Sequence, residues 1–479
     1  MTTPTAAILG IDLGTTEVKV GLVGLDGRLL AIARGAYGLD VGARDGWVEQ
    51  DPAAWWSAVV VAVRALHPPE PVDVVAIGVD GHGPSLAAVD ADGAATRPAI
   101  TFLDTRAVAE ADELATATGI RGWALGPLPA ALWLERHEAD AAARTRWYLT
   151  TWEWLALRLT GEAVAPLVPG QAIPDAAVVS GATGLQVDRR PPGRPMGDVV
   201  GTLANAPARA LGLRAGIPVA GGTNDAFTSY LGAGLTEAGD AYDPGGAAGG
   251  FGVYWDAPVD VPGAFVTPAP LEGLYSVGAA MAATGRALDW FRDSVVDSGL
   301  STEVLLEEAG TARAGADGVL FLPYLAGERS PIWDPTATGA FVGLTLAHGR
   351  PHLVRAILEA SALAIRHVAA PMLAAGVRVD AMRACGGPAR SETWNQIKAD
   401  VTGFTVLVPA VLETAVLGSA ILGAVGIGAV PDVRAGIRAM TRIERRLEPR
   451  PEHAATYDRA FAAYTGLYPA LSPVLAGRR

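Results

Sequence analysis

The chain has 479 residues, which is too long for one ordinary hydrophobic core, so two domains of similar size are expected. Hydrophobic residues make up 50% of the chain and charged residues 18%, a composition typical of globular proteins. The net charge is −13 and the lysines are Lys19 and Lys398, so neither nucleic acid nor an anionic membrane is expected as a partner.

Cysteine content and the chain's apolar segments indicate a cytoplasmic protein. Cys385 is the single cysteine, so no intrachain disulfide is expected, as is usual in a reducing compartment. The first residues lack the basic and apolar regions of a secretory signal. Residues 414–430 carry no charge, but they are few for a membrane span and are followed by Pro431, so we predict a buried helix.

Residues 6–23 read as a strand, a tight turn and a second strand, with the sequence Asp-Leu-Gly-Thr-Thr in the turn at residues 12–16. A carboxylate at the end of a strand can hold hydrated Mg²⁺, and a glycine beside two hydroxyls lets N–H and O–H groups approach phosphate oxygens. An ordinary hairpin with a threonine-rich turn explains the same residues equally well.

The next strand is predicted at residues 72–79, and it ends in a polar, glycine-rich loop at residues 80–85. Open α/β sheets place ligand contacts in such loops. Asp104 and Arg106 follow another short strand. A helix cap with a solvated partner is the alternative for Asp104, and a loop histidine with satisfied hydrogen bonds is the alternative for His82.

A carboxylate at the start of a helix is the last candidate in the first half. Residues 217–220 are predicted to form a strand, two glycines follow, and a helix begins at about Asp225. This carboxylate is either a helix N-cap or a general base in a cleft.

The second half repeats the pattern of the first. Residues 240–255 run from an acid through a glycine-rich turn into a strand, which predicts a duplicated architecture with one phosphate loop per half and a boundary near residue 240. Residues 382–385, a glycine pair and a helix at 392–401 favour a nucleotide site. Neither lysine lies in a Walker phosphate loop, and no dinucleotide fingerprint, cysteine cluster or zinc motif is present in the sequence.

Taken together, these motifs resemble the FGGY carbohydrate kinases, and within them the xylulokinase-like branch. The resemblance covers residues 8 to about 430 in collinear order. The matching segments are residues 46–56, 104–107, 327–344, 352–359, 387–391, 394–400 and 413–420.

The resemblance implies an α/β fold of two ribonuclease-H-like domains, the architecture of actin and Hsp70, flanking a deep cleft. Residues 1–240 would form the sugar-binding domain and residues 241–479 the ATP-binding domain. It implies ATP-dependent transfer of the γ-phosphate to a hydroxyl of a small sugar, a xylulose-like ketose or related polyol, with Mg²⁺ as cofactor. A homodimer is a further expectation from the family.

Carried over residue by residue, the resemblance makes Asp225 the general base and Asp12 the Mg²⁺ ligand. The implied sugar-binding residues are Glu49, Asp80, Gly81, His82 and Asp104. The implied nucleotide-binding residues are Thr15, Thr16, Gly246, Ala247, Gly285, Gly387 and Ser391.

Two segments depart from the family pattern. Gly-Ala-Ala-Gly at residues 246–249 replaces Gly-Thr-Ser/Thr-Gly, and each lost hydrogen bond to a charged phosphate costs about 1.5–3 kcal/mol. His-Gly-Pro-Ser at residues 82–85 replaces the Gln-Met-His-Gly of xylulokinases, so another ketose, a polyol or an aldonate fits as well. The alternative to an active kinase is a catalytically silent sugar or nucleotide sensor.

Overall fold

Two β-sheets and the helices that pack on them organise the chain. The computed structural model describes residues 4–42, 45–246, 248–296 and 299–476. Contacts divide the chain into two compact units, which we call unit 1 (Met1–Gly234, Pro268–Glu272 and Glu413–Thr441) and unit 2 (Leu235–Thr267, Gly273–Leu412 and Arg442–Arg479).

The strands range in length from two to ten residues. In chain order they are β1 (Thr5–Leu13), β2 (Glu17–Gly24), β3 (Leu29–Ala36), β4 (Asp40–Val41), β5 (Val48–Gln50), β6 (Val72–Gly81), β7 (Ala87–Val89), β8 (Ala99–Ile100), β9 (Trp147–Leu149), β10 (Ala165–Leu167), β11 (Gly193–Pro195), β12 (Val199–Thr202), β13 (Pro218–Ala220), β14 (Asp240–Asp243), β15 (Gly250–Trp255), β16 (Phe265–Pro268), β17 (Tyr275–Ala280), β18 (Leu320–Leu322), β19 (Ala340–Val342), β20 (Ala381–Ala384), β21 (Val406–Pro409) and β22 (Ile443–Leu447).

The α-helices range from single turns to the long helices of the second half. In chain order they are α1 (Pro52–Arg64), α2 (Val108–Thr118), α3 (Leu128–His137), α4 (Ala139–Arg144), α5 (Thr151–Thr160), α6 (Ala176–Thr183), α7 (Asn205–Leu211), α8 (Asp225–Ala233), α9 (Arg286–Trp290), α10 (Thr302–Thr311), α11 (Arg350–Ala374), α12 (Glu392–Thr402), α13 (Thr414–Gly426), α14 (Val433–Met440) and α15 (Ala454–Ala476). Asp51 caps α1 by accepting a hydrogen bond from the Ala53 backbone N–H, as its position before Pro52 predicts.

The main sheet of unit 1 has the strand order β12-β13-β6-β1-β2-β3. Strands β1, β2 and β3 are antiparallel neighbours, whereas β6 lies parallel to β1 and β13 parallel to β6. Most of β1 and the second half of β6 are buried, as expected for strands covered on both faces. Because β1, β6 and β13 run in the same direction, the residues at their carboxyl ends share one edge of the sheet.

The main sheet of unit 2 repeats this topology. Its order is β16-β17-β15-β14-β20-β21-β22, in which β17, β15 and β14 are antiparallel neighbours and β14, β20 and β21 are parallel. The spatial order β17-β15-β14-β20-β21-β22 therefore matches the order β3-β2-β1-β6-β13-β12 of unit 1, strand for strand. The duplicated architecture predicted from the two glycine-rich turns is present in the structure.

Helix α13 belongs to unit 1, although it lies in the second half of the sequence. Unit 1 ends near the predicted boundary of residue 240, but it also takes residues 413–441 from late in the chain. The reason is packing: α13 is buried from Thr414 to Ala424 and contacts α8, β1 and β6. Its apolar pattern predicted burial correctly, but such a pattern does not identify the sheet on which a helix packs.

Helix α11 is long and apolar, and it belongs to the protein interior. Among the described residues, α11 is the one helix long and apolar enough to cross a membrane by length and composition. However, 72% of its apolar 18-residue stretch is buried inside the protein. A core helix passes the same test. Residues 107–160 form helices α2 to α5, which are interrupted by β9, a strand that pairs with β7.

The contact between α8 and α13 predicts the effect of adding one methyl group. A Cβ at Gly418 would lie 1.9 Å from the Thr228 backbone oxygen, and one at Gly232 would lie 1.9 Å from the Thr414 backbone oxygen. We expect Gly418→Ala to destabilise the protein by about 1–3 kcal/mol through overpacking, measured by thermal and urea unfolding. Gly466→Ala, in the exposed face of α15 with open space around it, is the control and should leave stability unchanged or slightly higher. Equal effects of the two substitutions would contradict the packing argument.

Candidate active site

The β1–β2 hairpin forms the first predicted phosphate-binding turn. Gln50 Nε2 donates a hydrogen bond of 2.7 Å to the Thr15 backbone oxygen, and the Tyr37 hydroxyl donates one to the Gly14 backbone oxygen. Thr15 is half-buried and Thr16 is exposed. The Gln50 and Tyr37 side chains therefore hold the backbone of the turn, while its threonines lie toward the surface.

Asp12 lies at the end of β1 opposite Lys19 in the antiparallel register. Its Oδ2 is 3.7 Å from Lys19 Nζ, and Lys19 Nζ is also 4.0 Å from Glu413 Oε2. Asp12 is 4% exposed, and its Oδ1 has no hydrogen-bond partner within the described part of the chain. A buried carboxylate oxygen without a partner fits a Mg²⁺ ion, which binds proteins through one or two carboxylates.

Asp225 is the first residue of α8, and the N-cap is its neighbour Asn224, whose side chain accepts a hydrogen bond from the Phe227 backbone N–H. Asp225 Oδ1 accepts a 2.8 Å hydrogen bond from the Ala226 N–H. Burial, reinforced by the negative charge of Asp12, raises the pKa of Asp225 to about 7. A carboxylate with such a pKa is suited to accept a proton near neutral pH.

Asp80 joins Asp12 and Asp225 in one group, which we call the carboxylate cluster. Asp80 is the register partner of Asp12 on β6 and is fully buried. Burial raises the pKa of both Asp12 and Asp80, and the charge of Asp12 raises that of Asp80 further. Ser419 of α13 donates a 2.5 Å hydrogen bond to Asp80 Oδ2. The structure thus brings together three of the predicted site residues.

Gly81 and His82 continue from β6. A Cβ at Gly81 would lie 2.4 Å from Thr151 Oγ1, so glycine is needed at this close approach. His82 Nδ1 is 3.0 Å from Ser85 Oγ, while the buried Nε2 has no hydrogen-bond partner among the described residues. Burial lowers the pKa of His82 to about 3, so the imidazole is neutral.

Glu49 and Asp104 belong to a separate ion-pair network. Asp104 accepts hydrogen bonds from Arg106 Nε at 2.8 Å, Arg106 Nη2 at 2.6 Å and the Val48 N–H at 2.7 Å. Glu49 Oε1 contacts Arg97 Nη2 at 2.5 Å and Arg106 Nη1 at 2.7 Å. Asp104 is thus more than a helix cap with a solvated partner, because both of its oxygens are occupied. Contact of either residue with a sugar stays a prediction.

The second predicted phosphate loop lies between β14 and β15 in unit 2. Asp243, at the end of β14, accepts a 3.0 Å hydrogen bond from the Gly245 N–H and forms an ion pair with Lys398 of α12. Gly246 is exposed, whereas Ala247 lies outside the described residues. Thr284 Oγ1 donates a 3.1 Å hydrogen bond to the Ala248 backbone oxygen, which fastens the end of the loop.

The predicted adenosine residues lie on neighbouring loops of unit 2. β20 is parallel to β14, and Gly386 after β20 sits where a Cβ would approach the Pro244 backbone oxygen at 2.7 Å. Gly387 is exposed, and a Cβ there would meet open space. Ser391 caps α12 through a 3.1 Å hydrogen bond from the Trp394 N–H, and Gly285 is the N-cap residue of α9. Binding of a nucleotide by these residues stays a prediction.

Several site residues were missed in the sequence. They are Lys19, Gln50, Lys398, Glu413 and Ser419. The rarity of lysine was a usable signal, because the chain has two lysines and each pairs with a buried aspartate at the end of β1 or β14. Gln50 and Ser419 carried none, because their partners depend on tertiary contacts.

Comparison with known proteins gives concordant matches. Residues 7–167 match the N-terminal domain profile of the FGGY family of carbohydrate kinases, and residues 249–427 match the C-terminal domain profile. A xylulose kinase of Escherichia coli (strain K12) is 32% identical over 82% of this chain and 84% of its own length. A gluconokinase of Bacillus subtilis (strain 168) is 27% identical over 85% of each chain. The crystal structure of xylulose kinase from Rhodospirillum rubrum superposes with a TM-score of 0.79 at 30% identity, covering 98% of this chain and 100% of that one.

The ion pair at the second phosphate loop predicts a large stability effect. Lys398 is 2% exposed and Asp243 is 3% exposed, so Lys398→Met would leave a buried carboxylate without its cation. We expect a loss of about 3–5 kcal/mol, measured by thermal unfolding, with partial recovery in the double variant Lys398→Met/Asp243→Asn. Arg378→Met, which breaks an exposed pair with Asp380, is the control and should change stability little. A Lys398→Met protein as stable as this control would contradict the role given to the buried pair.

Proposed function

The chain belongs to the FGGY family of carbohydrate kinases, an ATP-dependent family that phosphorylates small sugars, and on that premise we propose that it phosphorylates a xylulose-like ketose with Asp225 as general base. The observation that carries the assignment of the base is the carboxylate cluster, in which Asp225 and Asp12 lie close enough for one charge to raise the pKa of the other. The kinase names of these relatives give no support to a silent sensor.

The proposed reaction begins with a sugar hydroxyl hydrogen-bonded to the Asp225 carboxylate. As the hydroxyl oxygen forms a bond to the γ-phosphorus, its proton passes to Asp225, and the bond from the γ-phosphorus to the bridging oxygen breaks. ADP leaves with that electron pair, and the proton later passes from Asp225 to solvent. Such base assistance contributes roughly 10²- to 10⁴-fold to the rate, and positioning with charge neutralisation supplies the remainder.

Asp12 is the residue proposed to hold Mg²⁺, and Lys19 is the side-chain cation proposed to interact with the phosphates. Asp12 Oδ1 is buried and unpartnered among the described residues, which suits a ligand of Mg²⁺. When bound, Mg²⁺ supplies neutralisation of phosphate charge. The Lys19 ammonium lies 3.7 Å from Asp12 and 4.0 Å from Glu413, which places it next to the proposed Mg²⁺ ligand.

In unit 2, the proposed nucleotide contacts come from backbone N–H groups more than from hydroxyls. Gly246, Gly285, Gly387 and Ser391 are the proposed contact residues of unit 2, and Thr15 and Thr16 are the proposed phosphate contacts of unit 1. The Ala-Ala sequence of the loop lacks the family's hydroxyls, and Thr284 is a nearby hydroxyl already hydrogen-bonded to Ala248. We therefore propose a weaker ATP affinity than a hydroxyl-bearing loop would give.

For the sugar, we propose contacts from Asp225, His82 and the backbone around Gly81. The neutral imidazole of His82 has a hydrogen-bond position at Nε2 to offer a hydroxyl. Asp104 and Glu49 already pair with arginines, which favours an indirect role in holding the neighbouring loops. An aldonate is the second candidate acceptor, supported by the similarity to a gluconokinase. A cytoplasmic location and a homodimer complete the proposal.

The choice of acceptor is tested by a substrate panel. Purified protein with Mg-ATP should release ADP fastest with D-xylulose or another pentulose, and more slowly with hexuloses, polyols and gluconate, measured by a coupled ADP assay. Fastest turnover on gluconate would move the assignment to an aldonate kinase. ATP turnover on no member, together with tight sugar binding by calorimetry, would instead support the sensor.

The role of Asp225 predicts both a rate loss and a pH dependence. Asp225→Asn should lower kcat by roughly 10²- to 10⁴-fold while leaving ATP binding nearly unchanged, because the amide cannot accept the proton. In the wild type, kcat/KM for the sugar should fall below about pH 7 as Asp225 with its pKa of about 7 becomes protonated, and level off above it.

Asp73→Asn, an exposed carboxylate at the start of β6, is the matched control and should retain wild-type kinetics. The base assignment fails if Asp225→Asn keeps near wild-type kcat, or if the wild-type kcat/KM stays flat from pH 5.5 to pH 8.

A further inference from the structure

Two buried carboxyl groups lie side by side at the edge of the unit 1 sheet. Asp12 and Asp80 are register partners on the parallel strands β1 and β6, so their side chains project from the same face. Asp12 is 4% exposed and Asp80 is 0% exposed. Neighbouring strands of a sheet lie about 4.7–4.9 Å apart, so the two carboxyl groups are close neighbours. The backbone pairing of β1 with β6 does not depend on a second acid at this position.

One oxygen of each carboxyl group is held by a neighbour and the other is not. Asp80 Oδ2 accepts the hydrogen bond of Ser419, and Asp12 Oδ2 is paired with Lys19. Asp12 Oδ1 and Asp80 Oδ1 are both buried without a hydrogen-bond partner among the described residues. Buried polar oxygens are almost always satisfied, so this pair of oxygens points to a ligand that both can share.

The charges of the cluster favour a cation as that ligand. Asp12, Asp80 and Asp225 together carry up to three negative charges, whereas the nearby Glu413 is already paired with Arg34 at 2.6 Å. Lys19 offsets one of them. Oxygen atoms from one or two carboxylates are the protein ligands that Mg²⁺ usually takes, with water and substrate phosphates completing its shell.

We propose that Asp80, oriented by the hydrogen bond from Ser419, is a second carboxylate for the divalent cation at Asp12. The proposal deepens the proposed function, on which it rests for the identity of that cation. It also replaces the sugar contact predicted for Asp80, because that side chain is fully buried, its Oδ2 is held by Ser419, and its register partner is Asp12.

The competing arrangement is a proton shared by the two carboxyl groups, with Asp80 neutral and donating to Asp12. Asparagine separates the two, because it is neutral, has the same size and can donate a hydrogen bond. Asp80→Asn would preserve a donor to Asp12 but remove a cation ligand.

The experiment titrates the wild-type protein, Asp80→Asn, Ser419→Ala and the surface control Asp73→Asn with Mn²⁺ alone, without nucleotide or sugar. Electron paramagnetic resonance of unbound Mn²⁺ gives the Kd. We expect Asp80→Asn to raise the Kd at least tenfold, Ser419→Ala to raise it severalfold, and the control to leave it unchanged. In thermal unfolding, Mn²⁺ should raise the Tm of the wild type more than that of Asp80→Asn.

A Kd for Asp80→Asn within twofold of the wild type would overturn the proposal in favour of the shared proton. Failure of the wild-type protein to bind Mn²⁺ alone would overturn it as well. If Asp80→Asn does not fold, Ser419→Ala decides, and an unchanged Kd there overturns the orienting role and with it the proposal. Each of these failures leaves the proposed function intact if the wild type still phosphorylates its sugar, whereas loss of all sugar-dependent ATP turnover removes the function itself.

Discussion

Charge compensation at the carboxyl-terminal edge of the unit 1 sheet is the constraint on which the site depends. Parallel strands β1 and β6 end with aspartates in register, and α8, which follows β13, begins with a third. A carboxylate removed from water is costly unless it gains partners. Lys19 and Ser419 supply part of that compensation, and the oxygens left unpartnered in the described structure are those that a ligand can satisfy. A fold tolerates such local cost at a site whose function needs it.

The contact between Ser419 and Asp80 is possible because small residues let α13 approach the sheet. A Cβ at Gly10 would lie 2.3 Å from the Val416 backbone oxygen, and one at Gly78 would lie 1.8 Å from the Ser419 backbone oxygen. Glycine within a strand ordinarily weakens it, but here it marks a close approach of another backbone. The packing of α13 and the polar contacts of the site therefore have a single structural cause.

The two units solve the same electrostatic problem with different elements. In each unit, the first strand of the hairpin ends in a buried aspartate next to a glycine-containing turn, and a lysine pairs with that aspartate. In unit 1 the lysine comes from the adjacent strand β2, whereas in unit 2 Lys398 comes from helix α12. Duplication thus preserved the strand order and the acid but not the origin of the cation.

The amino-acid sequence by itself determined the local elements and the family. Alternating and apolar runs located β1, β6 and β20, Asp51 before Pro52 located the start of α1, and the glycine-rich turns located both predicted phosphate loops. These features are local, because backbone conformation and the apolar face of an element follow from neighbouring residues.

Only the tertiary structure decided that α13 packs in unit 1, that Asn224 rather than Asp225 caps α8, and that Asp104 is occupied by Arg106. It also decided that Ser419 reaches Asp80 across a separation of 339 residues. Side-chain partners of this kind depend on strand register and on how closely two backbones approach, and no periodicity in the chain encodes either quantity.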